Sequence, residues 1–169
     1  MSEQKRCELE RVLDQYHQGL YRFAFWRTGS ADDSRDIVQS VFVRLYDRHG
    51  NLAAIENMKS YLYHATANAC ADYHRRRQSH KTVPLTAATN IASDSNPDPL
   101  TAEGEYQRIN TLLATLPAEQ AEVVRMRTTD ELTFAEIAEI LQIPLATVKS
   151  RFRYGIEKLR SNILKDKKL

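Results

Sequence analysis

Thr133 to Arg160 reads TFAEIAEILQIPLATVKSRFRYGIEKLR, and the rest of the chain is interpreted outward from it. Phe134, Ile137, Ala138 and Leu141 recur at the three-and-four spacing of one helix face, which predicts a short amphipathic helix. Its start carries the residues of a capping box, in which Thr133 as N-cap and Glu136 three residues on each satisfy an orphan amide of the first turn. The period breaks at Ile143-Pro144, because proline has no amide hydrogen and biases its predecessor away from the helical region. A second helix is expected from about Ala146, with Val148, Phe152, Ile156, Leu159 and Ile163 along one side. Lys149, Ser150, Arg151, Arg153 and Tyr154 are left facing outward near its beginning. Two helices joined by a short turn, the second apolar behind and basic in front, match a helix-turn-helix whose recognition helix enters a DNA major groove. An ordinary helical hairpin with a solvated basic face has the same periodicity.

The residues also carry a resemblance. LPAEQAEVVRMR from Leu116, then FAEIAEIL, then ATVKSRFRYGIEKLR, is similar to the promoter-reading fourth region of bacterial sigma factors, in the form of the small extracytoplasmic-function group. The specific part is Thr147-Val148-Lys149-Ser150-Arg151 following Ile137-Ala138-Glu139-Ile140-Leu141. One position departs from the pattern: such motifs usually place glycine in the turn, and this chain has Gln142. A left-handed backbone there costs a non-glycine residue roughly 1–2 kcal/mol. The resemblance implies that Ser150, Arg153 and Tyr154 lie over base edges, with Lys149 and Arg151 nearer phosphates.

Composition sets limits on everything else. The 169 residues allow one ordinary domain or two small ones, and 42% hydrophobic with 27% charged residues is the balance of a soluble globular protein. No apolar run is long enough to span a bilayer, and MSEQKRCELERVL lacks the apolar core of a signal peptide, so a cytoplasmic location is expected. The formal net charge is only +2, so any contact with DNA must come from local patches. Cys7 and Cys70 are too few and too far apart for a zinc site or a disulfide framework. The five histidines show no ligand spacing, so neither metal nor other cofactor is expected.

Toward the N-terminus, Leu9, Val12, Leu13, Tyr16, Leu20, Phe23 and Ala24 hold a helical period that Thr28-Gly29 ends. Ser30 caps a second helix, with Asp32 and Asp33 in its first turn, where the helix dipole favours negative charge. Ile37, Val38, Val41, Phe42 and Leu45 form its buried stripe, opposite an acidic-polar face. That face reads as plain solubility on its own. Asp33 to Phe42, however, resembles the sigma segment that docks on the clamp of RNA polymerase, implying Asp33, Asp36, Gln39 and Ser40 as polymerase-binding residues, with Asp36 and Gln39 as the polar contacts.

After a loop from His49 to Asn57, a third helix is expected from about Met58 to Arg77, packing through Tyr61, Leu62, Ala65, Ala69 and Tyr73. Cations at Arg75, Arg76 and Arg77 suit a helix C-terminus. Together with the aromatics Tyr61, Tyr63 and Tyr73 they also suit single-strand binding, where rings stack on bases and cations follow the backbone. SYLYHATANACADYHRRR resembles the sigma segment that captures an unstacked minus-10 base. On that match Asn68 is base-contacting, Tyr61 stands where relatives often carry tryptophan, and the loop from Gly50 to Lys59 helps form the base pocket. Ile55 to Leu62 resembles the iron-starvation subgroup.

Residues 78–100 hold three of the five prolines among Ser, Thr, Asn and Asp with no sustained period, which predicts a flexible linker. The expected domains are therefore 1–77 and 101–169, both helical, so the fold class is all-α. In the second, Thr101 caps a helix bearing Ile109, Leu112, Leu113 and Leu116, and Pro117 opens another with Val123, Val124 and Met126 inside. No catalytic triad, glycine-rich phosphate loop or strand pattern is apparent, which argues against an enzyme.

The expectation is a sigma factor that partners the bacterial RNA polymerase core at its clamp and flap, binds promoter DNA at minus 10 and minus 35, and is silenced by an anti-sigma factor. A dimeric LuxR-like regulator binding palindromic duplex without polymerase is the main alternative. A recombinase would need a nucleophile in a mixed α/β half, which this sequence does not suggest.

Overall fold

The computed structural model describes residues 3–48, 51–79 and 102–166. Among them all regular structure is helical: α1 (Glu3–Thr28), α2 (Ala31–Arg48), a 3-10 turn (Leu52–Ala54), α3 (Met58–Ser79), α4 (Ala102–Leu113), α5 (Ala118–Thr128), α6 (Phe134–Leu141) and α7 (Leu145–Asp166). The chain divides into two compact units between Ile91 and Ala92. That point lies inside the stretch read as a linker, of which only Gln78 and Ser79, the last two residues of α3, belong to the described residues. Thr101, expected to cap α4, also lies outside them.

Unit 1 is a three-helix packing of α1, α2 and α3 against one another. Helix α1 begins at Glu3, well before the apolar period starts at Leu9. Its first turns are tied by the Arg6–Glu10 ion pair at 3.1 Å and by Lys5 Nζ donating to the Tyr46 carbonyl at 2.8 Å. Gly29, at φ 69°, ends α1 in the left-handed conformation that glycine adopts without a Cβ clash. Ser30 then accepts from the Asp33 amide at 3.3 Å and starts α2. Leu20, Phe23 and Ala24 from α1 meet Val38, Val41, Phe42 and Leu45 from α2 and Leu62, Ala67 and Cys70 from α3, all buried. Each fully buried large apolar side chain contributes about 1.5–3 kcal/mol. Helix α3 is capped by Asn57, whose Oδ1 accepts from the Ser60 amide at 3.0 Å.

Unit 2 is built around α5. Val123, Val124 and Met126 are buried as expected, and α5 packs on α4, α6 and α7. Arg125 is buried with them at 1% exposure, its Nη1 donating to Asp130 Oδ2 at 3.1 Å. The pair fastens the end of α5 to the turn that leads into α6. Helix α7 crosses α5 at Gly155, where an added Cβ would stand 2.7 Å from Val124 Cγ2. Only a hydrogen fits there without moving the neighbour, so the outer face of α7 is held at a fixed height over the core.

Candidate nucleic-acid interfaces

In unit 2 the helix-turn-helix forms as its residues dictate. The capping box is complete, with Thr133 Oγ1 accepting from the Glu136 amide at 3.2 Å and Glu136 Oε2 from the Thr133 amide at 2.7 Å. Gln142 adopts φ 54° and ψ 44°, the left-handed conformation that motifs of this kind usually give to glycine. Its amide and that of Ile143 return to the last carbonyls of α6, at 3.3 Å to Glu139 and 3.1 Å to Ala138. Glu131, at φ 54°, takes the same conformation in the preceding turn. Pro144 then accepts from the Thr147 and Val148 amides at 2.9 and 3.1 Å, and α7 begins.

The inner side of α7 is anchored by Val148, fully buried, and by Phe152, which meets Phe134 edge to face at 5.2 Å between ring centroids. Lys149, Ser150, Arg153 and Tyr154 share the outer face, since residues three and four apart on a helix are neighbours. Lys149 and Arg153 are exposed, and Tyr154 is 50% exposed. Arg153 lies over the Tyr154 ring at 4.9 Å and donates to its hydroxyl at 3.2 Å, so the cation and the ring form one projecting unit. The Ser150 hydroxyl donates back to the Thr147 carbonyl at 3.0 Å. Arg151 behaves differently from the phosphate-side contact expected of it: it reaches back to Glu119 on α5 at 2.8 Å and its side chain is 26% exposed.

In unit 1 the sequence-predicted residues of α3 separate into three groups. Asn68 is exposed, and its amide nitrogen lies 3.3 Å from Nδ1 of His64 one turn earlier. Tyr61 is half-buried near the start of the helix. Tyr63 does not belong with them: at 3% exposure its ring packs edge to face on Phe23 at 5.2 Å, with its hydroxyl over Gly19. The expectation that Tyr63 offers a stacking face is corrected on this ground, because a ring enclosed between α1 and α3 has no open face to give.

The third group is the basic end. Arg75 pairs with Asp72, and Arg76 and Arg77 are exposed. Arg77 Nη1 donates to the Tyr73 hydroxyl at 2.6 Å, and that hydroxyl donates to Asp33 Oδ2 at 2.9 Å. A ring nitrogen of His74 lies 2.8 Å from the Arg27 carbonyl at the end of α1. The Ser30 hydroxyl, then the Tyr73 hydroxyl, and then the charge of Arg77 hold the Asp33 carboxyl below its ordinary range. Burial, then the bond to Asp33, pushes the Tyr73 phenol up. Sequence reasoning placed Tyr73 in the packing and among the aromatics suited to stacking, and missed its bond to Asp33, since a contact forty residues distant leaves no local signal.

On α2, Asp36 and Gln39 are exposed, while the Ser40 hydroxyl donates back to the Ile37 carbonyl at 2.7 Å. Beside Gln39 runs a groove of about 660 Å³ between α1 and α2, lined by Leu9, Leu13, Tyr21, Phe42 and Val43 among others. Val43 is 52% exposed. The groove escaped a reading that looked only at the polar face. Among the described residues no cluster of three His, Cys, Asp or Glu side chains could hold a metal, and no helix is long and apolar enough to cross a membrane.

Comparison with known proteins places this architecture. Residues 12–80 match the model for sigma-70 region 2, and residues 112–161 the model for sigma-70 region 4. The chain is 27% identical over 162 residues to the ECF RNA polymerase sigma factor SigW of Bacillus subtilis, covering 90% of this chain and 87% of that one. It is also 27% identical over 150 residues to the ECF sigma factor SigL of Mycobacterium tuberculosis, covering 88% and 85%. Among solved structures, the sigma factor RpoE from Bartonella quintana, crystallised with the anti-sigma factor NepR, shares the fold with a TM-score of 0.65 at 21% identity, over 95% of this chain and 96% of that one. The two matched regions run from within α1 through α3 and from the end of α4 through most of α7, and the chain belongs to the sigma-70 family as an ECF RNA polymerase sigma factor.

Proposed function

We propose that the two units divide promoter recognition between them. Unit 2 reads duplex minus-35 DNA through Ser150, Arg153 and Tyr154, with Lys149 on the phosphates and Arg151 bracing α7 on α5. Unit 1 docks on the polymerase clamp through Asp36, Gln39 and the apolar groove beside them, and holds melted minus-10 DNA through Tyr61, Asn68 and the cluster Arg75 to Arg77. Residues 78–100 set the span between the two, so promoter spacing enters recognition. The observation that carries this reading is the outer face of α7, where Lys149, Arg153 and half of Tyr154 are open to solvent while Val148 and Gly155 on the other side are buried. Such a face suits a major groove, where an arginine pairs bidentately with guanine.

The finer partners belong to the same proposal. The clamp and flap of core polymerase are its protein contacts, the cytoplasm is its place of work, and an anti-sigma factor silences it, as NepR accompanies the related RpoE fold. Resemblance of Ile55 to Leu62 supports an iron-starvation signal; transcripts indifferent to iron would remove that part. The direct test of the whole is transcription by bacterial core polymerase with this chain on a promoter library. Defined start sites that need both a minus-10 and a minus-35 element are expected, and transcription without specific initiation would overturn the reading.

A further inference from the structure

We infer that Tyr73, acting with Asp33 and His74, is a positioning latch that fixes the basic end of α3 to the corner between α1 and α2, so that Asp33 serves the DNA step and not polymerase contact. The inference rests on the proposal that Arg75 to Arg77 follow the separated DNA strand. Three contacts carry it: one joins α3 to α2, one joins α3 to α1, and one lies within α3 between Tyr73 and Arg77. The Tyr73 hydroxyl donates to Asp33 Oδ2 at 2.9 Å, a carboxylate in the first turn of α2. The same oxygen accepts from Arg77 Nη1 at 2.6 Å, so the hydroxyl uses its proton on one partner and a lone pair on the other. His74 lies 2.8 Å from the Arg27 carbonyl, in the last turn of α1, where carbonyls have no partner within their own helix. A carbonyl only accepts, so His74 donates there through Nε2–H.

The consequence concerns order at a helix terminus. Helix ends fray, and Arg77 lies in the last described turn of α3. A guanidinium on a fraying turn must be ordered each time it meets a phosphate. The latch performs that ordering in advance: the backbone is pinned at His74, and the Arg77 side chain is held by a hydroxyl that Asp33 itself orients. Asp33 therefore has its Oδ2 directed into the unit, which sets it apart from the exposed Asp36 and Gln39 farther along α2.

The test uses holoenzyme assembled from the full chain and bacterial core polymerase, binding a forked promoter DNA whose non-template minus-10 strand is unpaired, with affinity for core measured in parallel. Tyr73→Phe and Asp33→Ala should each weaken fork binding about two- to tenfold, the range for ordering one long side chain. The double variant should be no weaker than the worse single one, as expected of two residues in one network. Asp33→Asn keeps an acceptor for the hydroxyl and should restore near wild-type binding, a rescue that mere loss of fold would not show. Affinity for core should stay constant throughout. Additive losses, fork binding unchanged in Tyr73→Phe, or loss of core affinity in both Asp33 variants would overturn the latch, the last by making Asp33 a polymerase contact. A wild-type holoenzyme indifferent to the fork would overturn the parent reading, and with it the role given to the latch.

Discussion

In unit 1 the basic cluster sits at a helix end that is hydrogen-bonded to two other helices, whereas in unit 2 it sits on the open side of a helix whose other side is packed. The first arrangement orders individual side chains through polar ties to Asp33 and the Arg27 carbonyl. The second orders a whole surface by seating it, with Val148 and Gly155 against the core, and leaves Lys149 and Arg153 exposed. The difference suits the two forms of DNA. A duplex offers a groove of fixed shape that a rigid helix can match, while a separated strand has little shape of its own, so the protein must supply the order.

If unit 2 works as a rigid seat, the largest effect should come from breaking what holds the seat together. Asp130→Ala leaves Arg125 charged in the interior and should destabilise unit 2 by about 3–5 kcal/mol, seen as a separate early transition in a urea or thermal melt. A loss under 1 kcal/mol would mean the pair is not structural. Next is Arg153→Ala, which should reduce duplex minus-35 affinity by about 1–3 kcal/mol and blur preference at one base pair in a binding-site selection. Gln142→Gly should stabilise unit 2 by about 1 kcal/mol, the left-handed strain relieved less the extra entropy of glycine, and denaturant midpoints report it. Lys149→Ala should have the smallest effect. It should lower affinity for all sequences alike and flatten the salt dependence by roughly one unit of log–log slope, measured by titration at several salt concentrations. Equal, sequence-independent losses from Arg153→Ala and Lys149→Ala would erase the distinction between base-reading and phosphate contacts on this face.

Much of this was legible in the residues because the signals are local. The capping box at Thr133 and Glu136, the stop at Gly29, the Ser30 cap and the stripe from Ile37 to Leu45 all depend on neighbours within one or two turns, and each appears in the structure. Gln142 was legible as a question, since a turn that calls for glycine and carries glutamine must either strain or change shape; it keeps the shape and accepts φ 54°. Helix α3 was harder. It packs against both α1 and α2, so more than one face is buried, and a single-face period cannot say which of Tyr61, Tyr63 and Tyr73 goes inside. Tyr63 is the one enclosed, and Tyr73 became a bonding hub between Arg77 one turn on and Asp33 forty residues back. Arg125 was invisible for the opposite reason: an arginine reads as surface until a carboxylate is known to meet it inside.

The division of labour itself is tested most directly by giving one holoenzyme two probes, a duplex carrying only the minus-35 element and a single strand carrying only the minus-10 element, and comparing Asn68→Ala with Arg153→Ala. Asn68→Ala should weaken binding to the single strand and leave the duplex untouched, and Arg153→Ala should do the reverse. If both variants weaken the same probe, or each weakens both probes equally, the two units do not divide promoter recognition between melted and paired DNA.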